Sequence, residues 1–156
     1  MLYDCSKVII ALDTQDEQKA LDLVKLLKHR VSIFKVGLEL FCSQGPNIVK
    51  KINGLGCKVF LDLKFHDIPN TVAGAARAAI STGAFMFNVH ASGGREMMSK
   101  VRETVDNAGI SEKPIVLAVT VLTSLDEGDL NDININKSPL DQVKTLALLT
   151  KETGLD

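Results

Sequence analysis

Asp62 and Lys64 stand two residues apart near the end of an apolar, β-branched run, and Asp67 follows three positions on. Two carboxylates and an ammonium at this spacing suit chemistry in which charge develops or a proton moves. A structural ion pair is the less favoured alternative, because ion-pair networks mimic functional clusters. Strand side chains alternate faces, so parity decides which residues share a surface. Val59, Leu61, Leu63 and Phe65 form an apolar face that helices must cover, which leaves Phe60, Asp62 and Lys64 on the opposite, interior face. By the same count Asp13 ends the set Ile9, Ala11, Asp13, and Lys35 ends the set Val31, Ile33, Lys35. Asn88 and His90 lie opposite Phe85, Phe87 and Val89, while Thr123 ends a set that begins with Ile115 and Leu117. Five strands thus deliver polar groups to one rim. Taken singly, Asp13 or Lys35 reads as a solvated loop residue. His66 reads as a structural histidine, while for His90 the structural and functional readings stand level; Gly93-Gly94 reads as a tight turn in preference to an anion-binding helix start.

The elements that must position these residues follow from the hydrophobic pattern. Apolar, β-branched runs at 8–12, 31–36, 58–65, 84–90 and 115–123 are each followed by a stretch of helical periodicity, the pattern of parallel strands with helical crossovers. The first helix opens with a capping-box pattern from Thr14 to Glu17 and carries an apolar stripe of Ala20, Leu23, Val24 and Leu27. The second crossover starts at Leu38, breaks at Gly45-Pro46, resumes through Ile48, Val49 and Ile52, and stops at Gly54 and Gly56. A third helix follows Ile68-Pro69-Asn70 and is rich in alanine, which permits close approach to the strands. A fourth follows Gly93-Gly94 to about residue 108, and a fifth runs from Pro139 to about residue 153, with Gly154 in a C-cap position. By this rhythm another strand is due at Asp156. The expected fold class is therefore α/β, in the TIM (β/α)8 barrel family, as a single partial domain over 1–156 with about five βα units and three absent. A complete barrel needs roughly 200 residues or more.

Composition narrows the function classes. With 18 basic and 19 acidic residues dispersed along the chain, no basic stripe favours nucleic acid. No apolar run approaches the roughly 20 residues of a membrane span, and the N-terminus lacks the pattern of a signal or transit peptide. Cys5, Cys42 and Cys57 have neither zinc nor disulfide spacing, so a reducing cytoplasm and no metal are expected.

The stretch Asp62-Leu63-Lys64-Phe65-His66-Asp67-Ile68-Pro69-Asn70-Thr71 resembles the signature of orotidine 5'-phosphate decarboxylases in their bacterial form. Supporting matches occur in family order at Ile10-Ala11-Leu12-Asp13, Phe34-Lys35-Val36-Gly37, Asn88-Val89-His90-Ala91 and Val119-Thr120-Val121-Leu122-Thr123-Ser124. The shorter pattern D-x-K-x-x-D is shared with related sugar-phosphate decarboxylases and aldolase-like enzymes, and the extension to Thr71 favours orotidylate. The resemblance implies cofactor-free, metal-free decarboxylation of orotidine 5'-monophosphate to uridine 5'-monophosphate in pyrimidine biosynthesis. It implies Lys64 as stabilising cation and proton donor, with Asp62 beside it near the substrate carboxylate. Asp67 and Thr71 would reach into a neighbouring subunit's site, so a homodimer with shared active sites is expected. Asp13 and Lys35 would hold the ribose and complete the charge network, and Thr123 with Ser124 would lie near the pyrimidine. The family's phosphate grip comes from later strands, with no counterpart before Asp156. The alternatives are an inactive or complementing fragment of that enzyme and a sugar-phosphate decarboxylase.

Overall fold

A computed structural model describes residues 7–156; Cys5 and most of the N-terminal stretch read above lie outside the described residues. The elements run β1 (Ile9–Ala11), α1 (Glu17–Leu27), β2 (Ile33–Gly37), α2 (Leu38–Gln44), α3 (Asn47–Gly54) and β3 (Lys58–Phe65). They continue with α4 (Pro69–Ser81), β4 (Met86–His90), a 3-10 turn (Ala91–Gly93), α5 (Gly94–Asp106), β5 (Ile115–Val119), α6 (Glu127–Asp132) and α7 (Pro139–Glu152). Five parallel strands form one sheet in sequential order, β1-β2-β3-β4-β5, so the α/β class expected from the alternation is the observed one. The chain divides into two compact units. One comprises the described residues up to Leu63 with Arg77–Phe87 and Ile110–Ile115; the other comprises Lys64–Ala76, Asn88–Gly109 and Val116–Asp156.

In the first unit the register sets Ile9 against Ile33, Ala11 against Lys35, Lys35 against Phe60 and Gly37 against Asp62. Phe34, Val36, Val59 and Leu61 alternate with these residues and are fully or almost fully buried. Ile33, Lys35, Phe60 and Asp62 are only partly covered. Two faces of different character result, as parity requires. Burying a side chain such as Phe34 contributes about 1.5–3 kcal/mol, so a one-residue slip, which would exchange the faces, is strongly disfavoured. The first helix departs from the capping expectation. Its N-cap is Asp16, whose carboxylate accepts from the backbone N–H of Gln18 and Lys19, while Thr14 Oγ1 accepts from Asp16 N. Ala20 and Val24 are buried, but Leu23 is 37% exposed and falls off the expected stripe. The second crossover is broken as expected: α2 stops at Gly45, with φ 68°, and α3 begins beyond Pro46.

In the second unit α5 buries Met97, Met98, Val101 and Val105, whose i, i+4, i+8 spacing places 97, 101 and 105 on one face. The turn before it is tight. Gly94 has φ 86°, a conformation that glycine adopts without a Cβ penalty. A Cβ on the neighbouring Gly93 would overlap Sδ and Cε of the fully buried Met97 and approach His66 Cδ2. Gly93→Ala should therefore lower stability by about 1–3 kcal/mol, or about 2–4 °C of melting temperature per kcal/mol in a domain of this size. A melting curve coincident with wild type would contradict this packing. Helix α7 begins with Ser138 as cap and Pro139 in its first turn, and it ends before Gly154 at φ 74°. Beyond it, Asp156 N donates to Val116 O at 3.1 Å, a bond at the point where the rhythm expects the next strand. The sequence expectation missed α6, a short helix closed by a reciprocal capping box between Asp126 and Asp129.

Candidate active site

The first unit gathers three of the expected site residues. Lys35 Nζ lies 3.3 Å from Asp13 Oδ1 and 3.6 Å from Asp62 Oδ2. The two carboxylates differ in environment: the Asp62 side chain is 13% exposed and that of Asp13 is 70% exposed. Asp13 falls two residues beyond β1, which ends at Ala11, and still meets Lys35 because Ala11 and Lys35 are register partners. A Cβ at Gly37 would come 3.1 Å from Lys35 Nζ, so the glycine leaves the ammonium its room. A lysine bridging a shielded and a solvated carboxylate is a fixed positive charge that can hold a polar ligand without neutralising both acids.

The second unit holds Lys64, His66, Asp67, Thr71, His90, Thr123 and Ser124. Lys64 has φ 51°, the left-handed region that a lysine enters at a cost of about 1–2 kcal/mol. Simple alternation is thus interrupted at Lys64, and parity alone does not set its direction. Its backbone N–H donates to Oδ1 of Asn88 at 2.8 Å. Asp67 is exposed, and its Oδ1 accepts from Ile68 N at 2.6 Å. Thr71 is exposed in the first turn of α4. The expectation that Thr123 ends a strand is overturned: β5 stops at Val119, and Thr123 and Ser124 sit exposed in the turn that leads to α6. Thr120 and Val121 carry apolar and β-branched character without strand structure, which extended the apparent run. Thr120, Val121 and Leu122 of that segment help to wall a cavity of about 130 Å³ that His66 and His90 also line.

The two histidine rings are 5.4 Å apart and tilted by 42°. Partial burial, and then electrostatic repulsion from His66 and from Lys64, hold His90 below the ordinary imidazole value of 6.5. The unfolded chain therefore binds this proton more readily than the folded one. The associated stability is complete above pH 6.5 and is lost as pH falls toward the depressed folded value. Between pH 7.5 and 5 the melting temperature should fall less steeply for His90→Gln than for wild type; identical slopes would remove His90 from the linkage. Among the described residues no group of three His, Cys, Asp or Glu side chains could hold a metal ion, and no helix is long and apolar enough to cross a membrane. Cys42 is exposed, whereas burial pushes the Cys57 thiol up against a smaller opposing effect of Lys28.

Sequential parallel strands joined by helices, with charged residues at the strand ends, define an α/β protein of the (β/α) barrel type. The model of the orotidine 5'-phosphate decarboxylase / HUMPS family matches residues 6–156, and the chain belongs to that family. It is 53% identical over 150 residues to orotidine 5'-phosphate decarboxylase of Pseudoalteromonas translucida, and this match covers 96% of the chain and 64% of the relative. The corresponding enzyme of Psychromonas ingrahamii is 50% identical over the same shares. Among solved structures, orotidine 5'-phosphate decarboxylase of Lactobacillus acidophilus superimposes with a TM-score of 0.87 at 38% identity, covering 96% of this chain and 68% of that one. An uncharacterized conserved protein of Geobacillus kaustophilus does so with a TM-score of 0.90 at 41% identity, covering 95% and 70%. The chain thus spans just under two thirds of the length of the curated relatives it matches.

Proposed function

We propose that this chain carries the charged half of an orotidine 5'-phosphate decarboxylase, acting on orotidine 5'-monophosphate in cytoplasmic pyrimidine biosynthesis. The observation that carries the reading is Lys64, a lysine held in left-handed backbone geometry within the family signature from Asp62 to Thr71. In the reaction the bond between C6 and the carboxylate carbon breaks, carbon dioxide leaves, and its electron pair stays on C6. No cofactor accepts that pair, so a preorganised positive charge must stabilise it. The Lys64 ammonium supplies the charge and then gives a proton to C6, leaving uridine 5'-monophosphate and a neutral amine that solvent reprotonates. Asp62, two residues earlier on β3, acts on the substrate carboxylate by like-charge repulsion that departure of carbon dioxide relieves.

Lys35 and Asp13 bind ribose hydroxyls in this reading, and Thr123 with Ser124 contact the pyrimidine. Asp67 and Thr71 serve the site of a second copy in a homodimer. Their exposure, together with the 66% exposure of Ile68 between them, supports that role. The competing reading keeps D-x-K-x-x-D but assigns a sugar-phosphate substrate, as the breadth of the family description allows. The test is a substrate comparison on two forms: the 156-residue chain, and the same chain joined to the part of the Pseudoalteromonas relative beyond the match. A fall in ultraviolet absorbance with orotidine 5'-monophosphate in either form supports the reading. Turnover restricted to a sugar β-keto acid phosphate favours the second reading, and no turnover of orotidylate in either form overturns the first.

A further inference from the structure

We propose that Asn88 is a positioning residue for Lys64: its side-chain oxygen fixes the lysine's backbone in the left-handed conformation from which the ammonium is presented. The inference rests on the decarboxylase reading only for what the ammonium does. The backbone device stands independently of it.

Asn88 occupies the middle of β4 between Phe87 and Val89, both fully buried, and is itself only 3% exposed. A polar side chain in that setting must be satisfied, since a buried acceptor left without a donor costs about 1–3 kcal/mol. Its Oδ1 receives the Lys64 N–H at 2.8 Å, a good hydrogen-bond distance. Lys64 and Asn134 are the non-glycine residues with positive φ among those described. Asn134 follows the end of α6, and asparagine tolerates this region through local hydrogen bonding. A lysine side chain is long and carries no acceptor for such a local bond, and Lys64 belongs to β3, where extended geometry is the default.

Magnitudes decide the balance. The left-handed backbone costs about 1–2 kcal/mol, and the hydrogen bond from Lys64 N–H to Asn88 contributes about 0.5–1.5 kcal/mol, a comparable magnitude. With Asn88 present this bond offsets most of the strain at Lys64; with an apolar residue at 88 that offset is lost and return to extended geometry is favoured. Strain of this kind clusters at sites where it is part of the mechanism, and a displacement of about 1 Å at a reacting group can cost on the order of a hundredfold in rate.

The test reads the Lys64 backbone directly on the 156-residue chain, by NMR of lysine-labelled protein. The Cα shift and the HN–Hα coupling of Lys64 should report left-handed geometry in wild type and in Asn88→Asp, which keeps an acceptor oxygen, and extended geometry in Asn88→Ala. Retention of left-handed values in Asn88→Ala overturns the proposal. If Asn88→Ala does not fold, the double variant Asn88→Ala/Lys64→Gly decides. Glycine adopts positive φ without the Cβ penalty, so restored folding supports the proposal and continued failure overturns it. In whichever form turns over orotidylate, Asn88→Ala should lower kcat on the order of a hundredfold with KM changed far less, and partial rescue by Asp. An unchanged kcat overturns the positioning role. Absence of turnover in wild type would remove the decarboxylase reading and leave the NMR result standing.

Discussion

In the chain joined to the remaining part of the Pseudoalteromonas relative, Lys64→Ala should lower kcat/KM for orotidine 5'-monophosphate by roughly a thousandfold or more, the scale seen when a single preorganised charge-stabilising group is lost. That corresponds to about 4 kcal/mol of transition-state stabilisation. Alanine is the informative replacement because it pays a similar left-handed backbone penalty to lysine at φ 51°. Folded stability then changes little through the backbone, while the ammonium is lost entirely. Circular dichroism and the melting temperature should stay close to wild type as the rate collapses. A variant retaining a tenth of wild-type activity would show that the charge and the proton come from elsewhere.

Lys35→Ala separates a functional charge network from a structural ion pair. The lysine bridges Asp13 at 3.3 Å and Asp62 at 3.6 Å, so its removal leaves two carboxylates to face an anionic nucleotide. An activity loss on the order of a hundredfold is expected, in the range of one displaced electrostatic group. The stability cost should stay within about 1–3 kcal/mol, because the exposed pair with Asp13 contributes about 0–1 kcal/mol while the shielded Asp62, 13% exposed, loses one charge partner. Steady-state kinetics beside thermal melts distinguish the outcomes. If activity falls only in proportion to lost folded protein, the trio is structural.

Much of the fold was legible because its signals are local and repeated. Alternation in β3 gave its bounds and its faces as far as Asp62, and Gly45-Pro46 gave the break between α2 and α3. Gly154 marked the end of α7. The failures share a physical cause: several residues of suitable type competed for one job. Asp16 sits two residues after Thr14, and both are good caps; the choice of Asp16 emerged only in three dimensions. Val119-Thr120-Val121-Leu122 has strand composition, yet the ladder ends at Val119 and the chain turns.

The candidate site divides in the same way. Asp13, Lys35 and Asp62 were found by parity, and they meet because parallel register aligns Ala11 with Lys35 and Gly37 with Asp62. The left-handed backbone of Lys64 was not legible, since no glycine or asparagine marks it. Its one sequence trace is Asn88, a polar residue between Phe87 and Val89 in an apolar strand, which parity assigned to a face without assigning it a task.

The most direct test of the central claim is release of labelled carbon dioxide from carboxyl-labelled orotidine 5'-monophosphate, measured together with uridine 5'-monophosphate. It should be run on the chain joined to the remaining part of the Pseudoalteromonas relative, with Lys64→Ala as the matched control. Carbon dioxide and uridine 5'-monophosphate should form in equal amounts with Lys64 present, and the rate of both should fall by roughly a thousandfold or more without it. Equal release from the two proteins, or none from either, would contradict the account.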